Sequence, residues 1–113
     1  MVFRHFFSKP AVAEVTPEEA RAKQKAGAII VDVREPSEWR EGHIPGAIHI
    51  PLGSMGRRYQ ELDASREIIA VCRSGHRSIS AVMILQQQGF SQVSSMAGGM
   101  ILWTRQRFPV SSS

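Results

Sequence analysis

The chain has 113 residues, a length that fits one domain. Its hydrophobic content of 42% and charged content of 21% are typical of a globular protein, and no stretch approaches the ~20 apolar residues of a membrane span. One cysteine excludes an internal disulfide and fits a reducing compartment; with no signal-like apolar region, we expect a cytoplasmic protein without membrane partners. The net charge of +4 favours anionic partners, but the basic residues are scattered without a nucleic-acid motif, so nucleic acid is not an expected partner.

The chain begins with an aromatic tail and a capped helix. Residues 1–10 hold three phenylalanines, and we expect this tail to fold its rings back onto the domain. A short strand over residues 11–15 precedes Thr16, which suits a helix N-cap and is followed by proline at the first helical position. Glu19 completes a capping box, and the helix is predicted to end at Gly27.

An acid and a base follow the next buried strand, residues 28–33. Asp32 and Arg34 lie where that strand ends, and in open α/β sheets ligands bind outside the carboxyl ends of the strands. These side chains either shape and charge a pocket or form an ion pair that braces the loops around it. We favour the ion pair, as support for the pocket.

A short helical turn and a glycine-rich turn come next. Trp39, in the turn over residues 36–40, is predicted to anchor the core. His43 lies in the turn over residues 42–47 and is interpreted as a hydrogen-bonded structural histidine rather than a general base. The four histidines show no metal-ligand spacing, so no metal site is expected.

The most informative stretch runs from Glu67 to Gly89. Residues 68–71 are short, apolar and partly β-branched, which predicts a buried strand. The polar loop that follows opens on Cys72, and a helix over residues 78–88 comes next. A thiol before a helix N-terminus and beside cations has a lower pKa than the ~8.5 of free cysteine. We therefore predict a reactive, partly exposed Cys72.

A last strand and helix complete the chain. The strand is predicted over residues 90–96 and the helix over residues 100–107, with Trp103 in the core; residues 111–113 are expected to be disordered. Alternating strands and helices indicate an α/β fold, with a central, mainly parallel β-sheet flanked by helices on both faces. We expect a single domain over residues 11–110.

Four segments, in the order of the chain, together resemble the rhodanese family of sulfurtransferases, which carry sulfur as a cysteine persulfide. They are Asp-Val-Arg-Glu at 32–35, Gly-His-Ile-Pro-Gly-Ala at 42–47, Cys-Arg-Ser-Gly-His-Arg at 72–77, and Gly-Gly-Met at 98–100 with Trp103 and Pro109. The resemblance covers about residues 12–110. It implies the same α/β architecture and a reaction that needs no cofactor.

The resemblance also implies a mechanism and a site. The Cys72 thiolate takes the outer sulfur of a donor such as thiosulfate, and cyanide, a thiol or a sulfur-accepting protein then removes it. The substrate-binding residues implied by the loop are Arg73, Ser74, Gly75, His76, Arg77 and Ser78. Their N–H groups would hold the terminal sulfur of the persulfide, and the two arginines would attract the anionic donor.

Two other functions stay open. Cysteine phosphatases and arsenate reductases place five residues between cysteine and arginine, whereas four separate Cys72 from Arg77, and this narrower loop suits sulfur better than phosphate or arsenate. The second alternative is a non-catalytic binding or regulatory module, or a protein sulfur carrier. Regulatory modules of this family commonly lack the cysteine, so Cys72 argues against that reading.

Overall fold

A computed structural model describes residues 12–113 of the chain. The strands are β1 (Glu14–Val15), β2 (Ile29–Asp32), β3 (Ile48–His49), β4 (Ile68–Val71) and β5 (Val93–Met96). The helices are α1 (Pro17–Lys25), α2 (Pro36–Glu41), α3 (Leu52–Arg58), α4 (His76–Gln87) and α5 (Gly99–Arg105), with a 3-10 turn at Tyr59–Glu61. The predictions for the N-terminal tail lie outside the described residues.

The strands form one parallel sheet in the order β1-β5-β4-β2-β3. In the central pair, Ile29 lies beside Ile68 and Asp32 beside Val71, so β2 and β4 end at the same edge. The predicted α/β fold with a parallel sheet is therefore confirmed. Its register brings the segment after Asp32 next to the loop that starts at Cys72.

Helices cover both faces of the sheet because the side chains of its strands alternate. In β4, Ile68 and Ala70 join a hydrophobic cluster with α3 and α4, whereas Ile69 and Val71 join a second cluster with α1 and α5. All four side chains are fully buried. Because both faces are covered, β4 is apolar throughout, as a buried parallel strand requires. The predicted helices on both faces are confirmed.

The start of α1 has the predicted capping box. The Glu19 N–H donates to Thr16 Oγ1 at 3.0 Å, and the Thr16 N–H donates to Glu19 Oε1 at 2.8 Å. Two N–H groups that the helix itself leaves without a partner are thereby satisfied. The helix ends at Lys25, and Gly27 follows with φ of +112°, a conformation that favours glycine.

Trp39 does not anchor the core, and that prediction is wrong. Helix α2 is only six residues long, buries none of its side chains, and contributes to neither hydrophobic cluster. Trp39 instead stacks with two imidazole rings, with centroid distances of 3.4 Å to His43 and 4.7 Å to His49. Trp103, in contrast, is buried in the second cluster as predicted.

His43 ties the end of the described chain to the domain. Its backbone forms an antiparallel bridge with Ser111, and its Nε2 lies 3.0 Å from the carbonyl oxygen of Ser113. Its Nδ1 lies 2.8 Å from the carbonyl oxygen of Trp39. The interpretation of His43 as a hydrogen-bonded structural histidine is confirmed. The expected disorder of residues 111–113 stays a prediction.

Candidate active site

The Cys72 sulfur lies inside a cradle formed by its own loop. Cys72 follows β4, and the N–H groups of Gly75 and Ser78 donate to its Sγ at 3.1 and 3.3 Å. The Ser78 hydroxyl lies 3.4 Å from the same sulfur. Gly75 has φ of +106°, a left-handed conformation that reverses the chain into the first turn of α4. Such converging N–H groups stabilise a negative charge.

The N-terminus of α5 holds the outer side of this loop. The Met100 N–H donates to the Cys72 carbonyl at 2.9 Å, and the Ile101 N–H donates to the Arg73 carbonyl at 3.1 Å. Because the C=O and N–H of a trans peptide point in opposite directions, holding the Arg73 carbonyl toward α5 turns the Ser74 N–H toward the sulfur. Gly99 permits the approach: a Cβ there would overlap the Cys72 carbonyl oxygen and lie 2.5 Å from the Arg73 carbonyl carbon.

The environment of Cys72 lowers the pKa of its thiol. Burial alone would raise the pKa, but hydrogen bonds from the Ser78 hydroxyl and from the N–H groups of Ser78, Gly75 and Ser74 together outweigh it. Cys72 is only 1% exposed, so the prediction of a partly exposed residue is wrong. The cause is the loop itself, which wraps around the sulfur that it stabilises.

Arg77 is held by Glu38 instead of lying free at the mouth of the loop. Its two terminal nitrogens donate to the two Glu38 carboxylate oxygens at 2.7 and 2.8 Å. This bidentate pair lowers the Glu38 pKa from 4.5 to about 2 and raises the pKa of Arg77. Arg77 was predicted to bind substrate; the structure shows its guanidinium already engaged.

Arg73 is the exposed cation of the loop. It makes no ion pair with any residue of 12–113, and it lines a cavity of about 300 Å³ together with Arg34, Glu38, Glu41, Gly42 and residues of α5. Cys72 does not line this cavity, which lies beside the sulfur cradle. Ser74 and His76 are also exposed and contact each other, with 3.2 Å between Ser74 Oγ and His76 Nδ1.

Asp32 and Arg34 form a buried ion pair beside the loop. Arg34 Nη2 donates to Asp32 Oδ2 at 2.7 Å and to the Gly42 carbonyl at 2.7 Å, and Arg34 Nε donates to the same carboxylate. Both side chains are almost fully buried. The pair fastens the end of β2 to the turn after α2, as the favoured interpretation had it.

Two residues of this site were not predicted from the sequence. Glu38 lies 39 positions from Arg77, and no local pattern indicates that pairing. Ser95 Oγ lies 2.7 Å from Ser78 Oγ, and a hydroxyl inside a buried strand was the one available signal. Among residues 12–113, no three histidine, cysteine, aspartate or glutamate side chains group as metal ligands, and no helix is long and apolar enough to cross a membrane.

Comparisons with known proteins agree on one family. The model of the Rhodanese-like domain matches residues 16–106. Thiosulfate sulfurtransferase GlpE of Stutzerimonas stutzeri is 41% identical over 95 residues, which are 84% of this chain and 86% of that protein. A sulfurtransferase of Allochromatium vinosum is 38% identical, over 73% of this chain and 77% of that protein. The crystal structure of a rhodanese-related protein from Thermoplasma volcanium matches with a TM-score of 0.83 and 28% identity, over 89% of this chain and 99% of that one.

We predict that Gly99→Ala destabilises the protein through its contact with the loop. The new Cβ meets the Cys72 and Arg73 backbone, which adds an overpacking cost of about 1–3 kcal/mol to the ~1–2 kcal/mol cost of a left-handed residue. Gly89→Ala is the control, because Gly89 has φ of +91° but no atom within 4 Å of such a Cβ. Urea unfolding measures both free energies, and equal losses would contradict the predicted clash.

We predict that Glu38→Gln lowers the free energy of unfolding at neutral pH by about 0.5–1 kcal/mol, because a partly exposed but bidentate ion pair is lost. The Glu38 pKa is lower in the folded state, so the pair stabilises the fold above pH 4.5, and this stabilisation is lost as the pH falls from 4.5 toward about 2. Wild type and variant should therefore converge in acid during urea unfolding. Glu41→Gln, on the same helix, is the control for the charge change, and a difference that does not depend on pH would refute the assignment.

We predict that the pKa of the Cys72 thiol is lower in the native protein than in urea, because unfolding removes the N–H and hydroxyl donors. The measurement is ultraviolet absorbance of the thiolate against pH, which reports one group because the chain has one cysteine. A native pKa at or above the value in urea would show that burial outweighs the hydrogen bonds.

Proposed function

This chain belongs to the rhodanese-like family, and we propose that it is a sulfurtransferase that moves sulfane sulfur from a small anionic donor such as thiosulfate to cyanide or a thiol. The observation that carries the proposal is the Cys72 sulfur at the focus of the Gly75 and Ser78 N–H groups. In this proposal Cys72 is the catalytic nucleophile, and the loop from Arg73 to Ser78 binds the transferred sulfur.

The first half-reaction charges the cysteine. The Cys72 thiolate attacks the outer sulfur of thiosulfate, a new S–S bond forms, and the sulfur–sulfur bond of thiosulfate breaks. Its electron pair leaves with sulfite, so one negative charge stays on the terminal persulfide sulfur and two leave with sulfite. No proton transfer is needed when the thiol is already ionised, which the lowered pKa of Cys72 supports.

The second half-reaction returns the free thiolate. Cyanide or an acceptor thiolate attacks the terminal sulfur of the persulfide. The S–S bond to Cys72 breaks, and its electron pair returns to the Cys72 sulfur. With cyanide the product is thiocyanate, and with a thiolate it is a new persulfide. A persulfidated protein as donor or a sulfur-accepting protein as acceptor would use the same steps.

The charges around the loop support a small anionic donor. Arg73 is exposed beside the cradle, whereas Arg77 is neutralised by Glu38. Because the sulfur is buried, we expect it to react only with a donor that approaches end-on, as thiosulfate can through its outer sulfur. We propose that Arg73 draws the donor to the loop through long-range attraction, and that the backbone N–H groups then hold the sulfur.

Loop size supports sulfur over phosphate. Four residues separate Cys72 from Arg77, and the N–H groups already lie within 3.1–3.3 Å of one sulfur atom. A tetrahedral phosphate would need a wider ring of donors and a free arginine, and Arg77 is paired. A reducing compartment such as the cytoplasm would keep the free thiol that this chemistry requires.

We predict that the wild-type protein forms thiocyanate from thiosulfate and cyanide, and that Cys72→Ser abolishes this turnover because a serine hydroxyl is not ionised at neutral pH. Colorimetric detection of thiocyanate measures the rate. Ser94→Ala is the matched control, because Ser94 is a buried serine whose hydroxyl has no partner among the described residues.

Mass spectrometry separates the proposal from a binding role. After thiosulfate treatment, the wild-type protein should gain the mass of one sulfur atom, Cys72→Ser should gain none, and cyanide should reverse the gain. A reduced, titratable Cys72 that gains no sulfur from thiosulfate, a persulfide or a mercaptopyruvate-like donor would refute the sulfurtransferase proposal and favour a non-catalytic module.

A further inference from the structure

A chain of two hydroxyl groups leads from the Cys72 sulfur into the sheet. Ser78 Oγ lies 3.4 Å from Cys72 Sγ, and Ser95 Oγ lies 2.7 Å from Ser78 Oγ. Ser78 belongs to the first turn of α4 and Ser95 to β5, and both residues are 0% exposed. The second contact joins residues 17 positions apart and is the shorter of the two.

A serine hydroxyl has one hydrogen and two lone pairs, so its partners decide where that hydrogen points. When Ser95 donates to Ser78 Oγ, the Ser78 hydrogen is left to point at the sulfur. Successive hydrogen bonds of this kind also polarise and strengthen one another.

We propose that Ser95 is a positioning residue that directs the Ser78 hydroxyl toward the Cys72 thiolate. Ser95 acts through Ser78 and does not touch the sulfur. When Cys72 is a neutral thiol, its S–H donates to Ser78 and Ser78 donates to Ser95. When Cys72 is ionised, both hydroxyls rotate and the direction of donation reverses. The inference rests on the Cys72 nucleophile of the proposed function.

The neighbouring Ser94 shows that a serine in β5 contacts Ser78 only from the correct face of the sheet. Ser94 is also buried in β5, but it points to the opposite face of the sheet, and its hydroxyl has no hydrogen-bond partner in the part of the chain that the structure describes. Ser94 and Ser95 thus form a matched pair with the same side chain and strand. Only Ser95 reaches α4.

No other charged group needs to change for Ser95 to act. The charged and titratable groups around the loop come from the loop itself, from α2 and its cap, and from the end of β2. They are Arg73, His76, Arg77, Glu35, Glu38, Glu41 and the Asp32–Arg34 pair. Helix α5 has its one basic residue, Arg105, in its last turn, and β5 has no charged residue. Substitution of Ser95 leaves all of these groups in place, so a shift of the Cys72 pKa would report the hydroxyl chain.

The test is to titrate Cys72 in single-serine variants and to monitor the thiolate by its ultraviolet absorbance. We predict that Ser95→Ala raises the Cys72 pKa by roughly 0.5–1 unit, a threefold to tenfold loss of thiolate at a pH below the pKa. Ser94→Ala should titrate as the wild type. The rate of thiocyanate formation should fall with the thiolate fraction in Ser95→Ala and recover at higher pH, which a merely structural defect would not do.

A double-variant cycle tests whether Ser95 acts through Ser78. Ser78→Ala should raise the pKa at least as much as Ser95→Ala, and Ser95→Ala should add no further shift in the Ser78→Ala protein. Ser95→Thr and Ser95→Val form a second pair of equal shape, of which only threonine keeps the hydroxyl. The threonine variant should have the lower pKa, and this comparison stands if the alanine variant does not fold.

Two results would overturn the inference. The first is an unchanged Cys72 pKa in Ser95→Ala together with equal Cys72 pKa values in Ser95→Thr and Ser95→Val. The second is a pKa shift from Ser95→Ala that is just as large in the Ser78→Ala protein. The titration needs no sulfur donor, so it separates this inference from the proposed function. If the Cys72 pKa shifts in Ser95→Ala but the wild-type protein forms no persulfide, the positioning role is supported and the sulfurtransferase proposal is refuted.

Discussion

The site depends on the contact between the loop after β4 and the first residues of α5. There the Met100 and Ile101 N–H groups hold the carbonyls of Cys72 and Arg73 on the outer side of the loop, while the N–H groups of Gly75 and Ser78 face the sulfur on its inner side. Gly99 makes the contact possible, since any side chain would collide with the loop backbone. The loop is therefore braced from both faces of the sheet, because α4 packs on one and α5 on the other.

Backbone and hydroxyl dipoles, more than paired cations, stabilise the thiolate in this structure. Arg77 is neutralised by Glu38, and Arg34 is neutralised by Asp32 in a buried pair that also fastens the Gly42 turn. The lowered pKa of Cys72 arises from four hydrogen-bond contacts that outweigh burial. Fixed dipoles stabilise a negative charge on the buried sulfur without a bound counter-ion. An anionic donor therefore has no counter-ion to displace.

The differences between prediction and structure share a cause. The capping box of α1 and the bounds of β4 were predictable because hydrogen bonding within a few residues and an unbroken apolar run determine them. Trp39 was misplaced because its burial depends on what α2 packs against, and the bridge between His43 and Ser111 was not predictable because the two residues lie far apart in the chain. The exposure of Cys72 was misjudged because polar neighbours in sequence do not reveal how tightly a loop closes.

The sequence by itself determined the alternation of strands and helices, the parallel α/β class and the position of the single thiol between a buried strand and a helix N-terminus. These features follow from local propensity, hydrophobic pattern and the chemistry of adjacent residues. Only the tertiary structure decided that Glu38 neutralises Arg77, that α5 orients the loop carbonyls and that Ser95 reaches Ser78. Each of these contacts joins residues of separate elements. The crossover connections of the parallel sheet bring those elements together, and no local sequence pattern encodes which residues then meet.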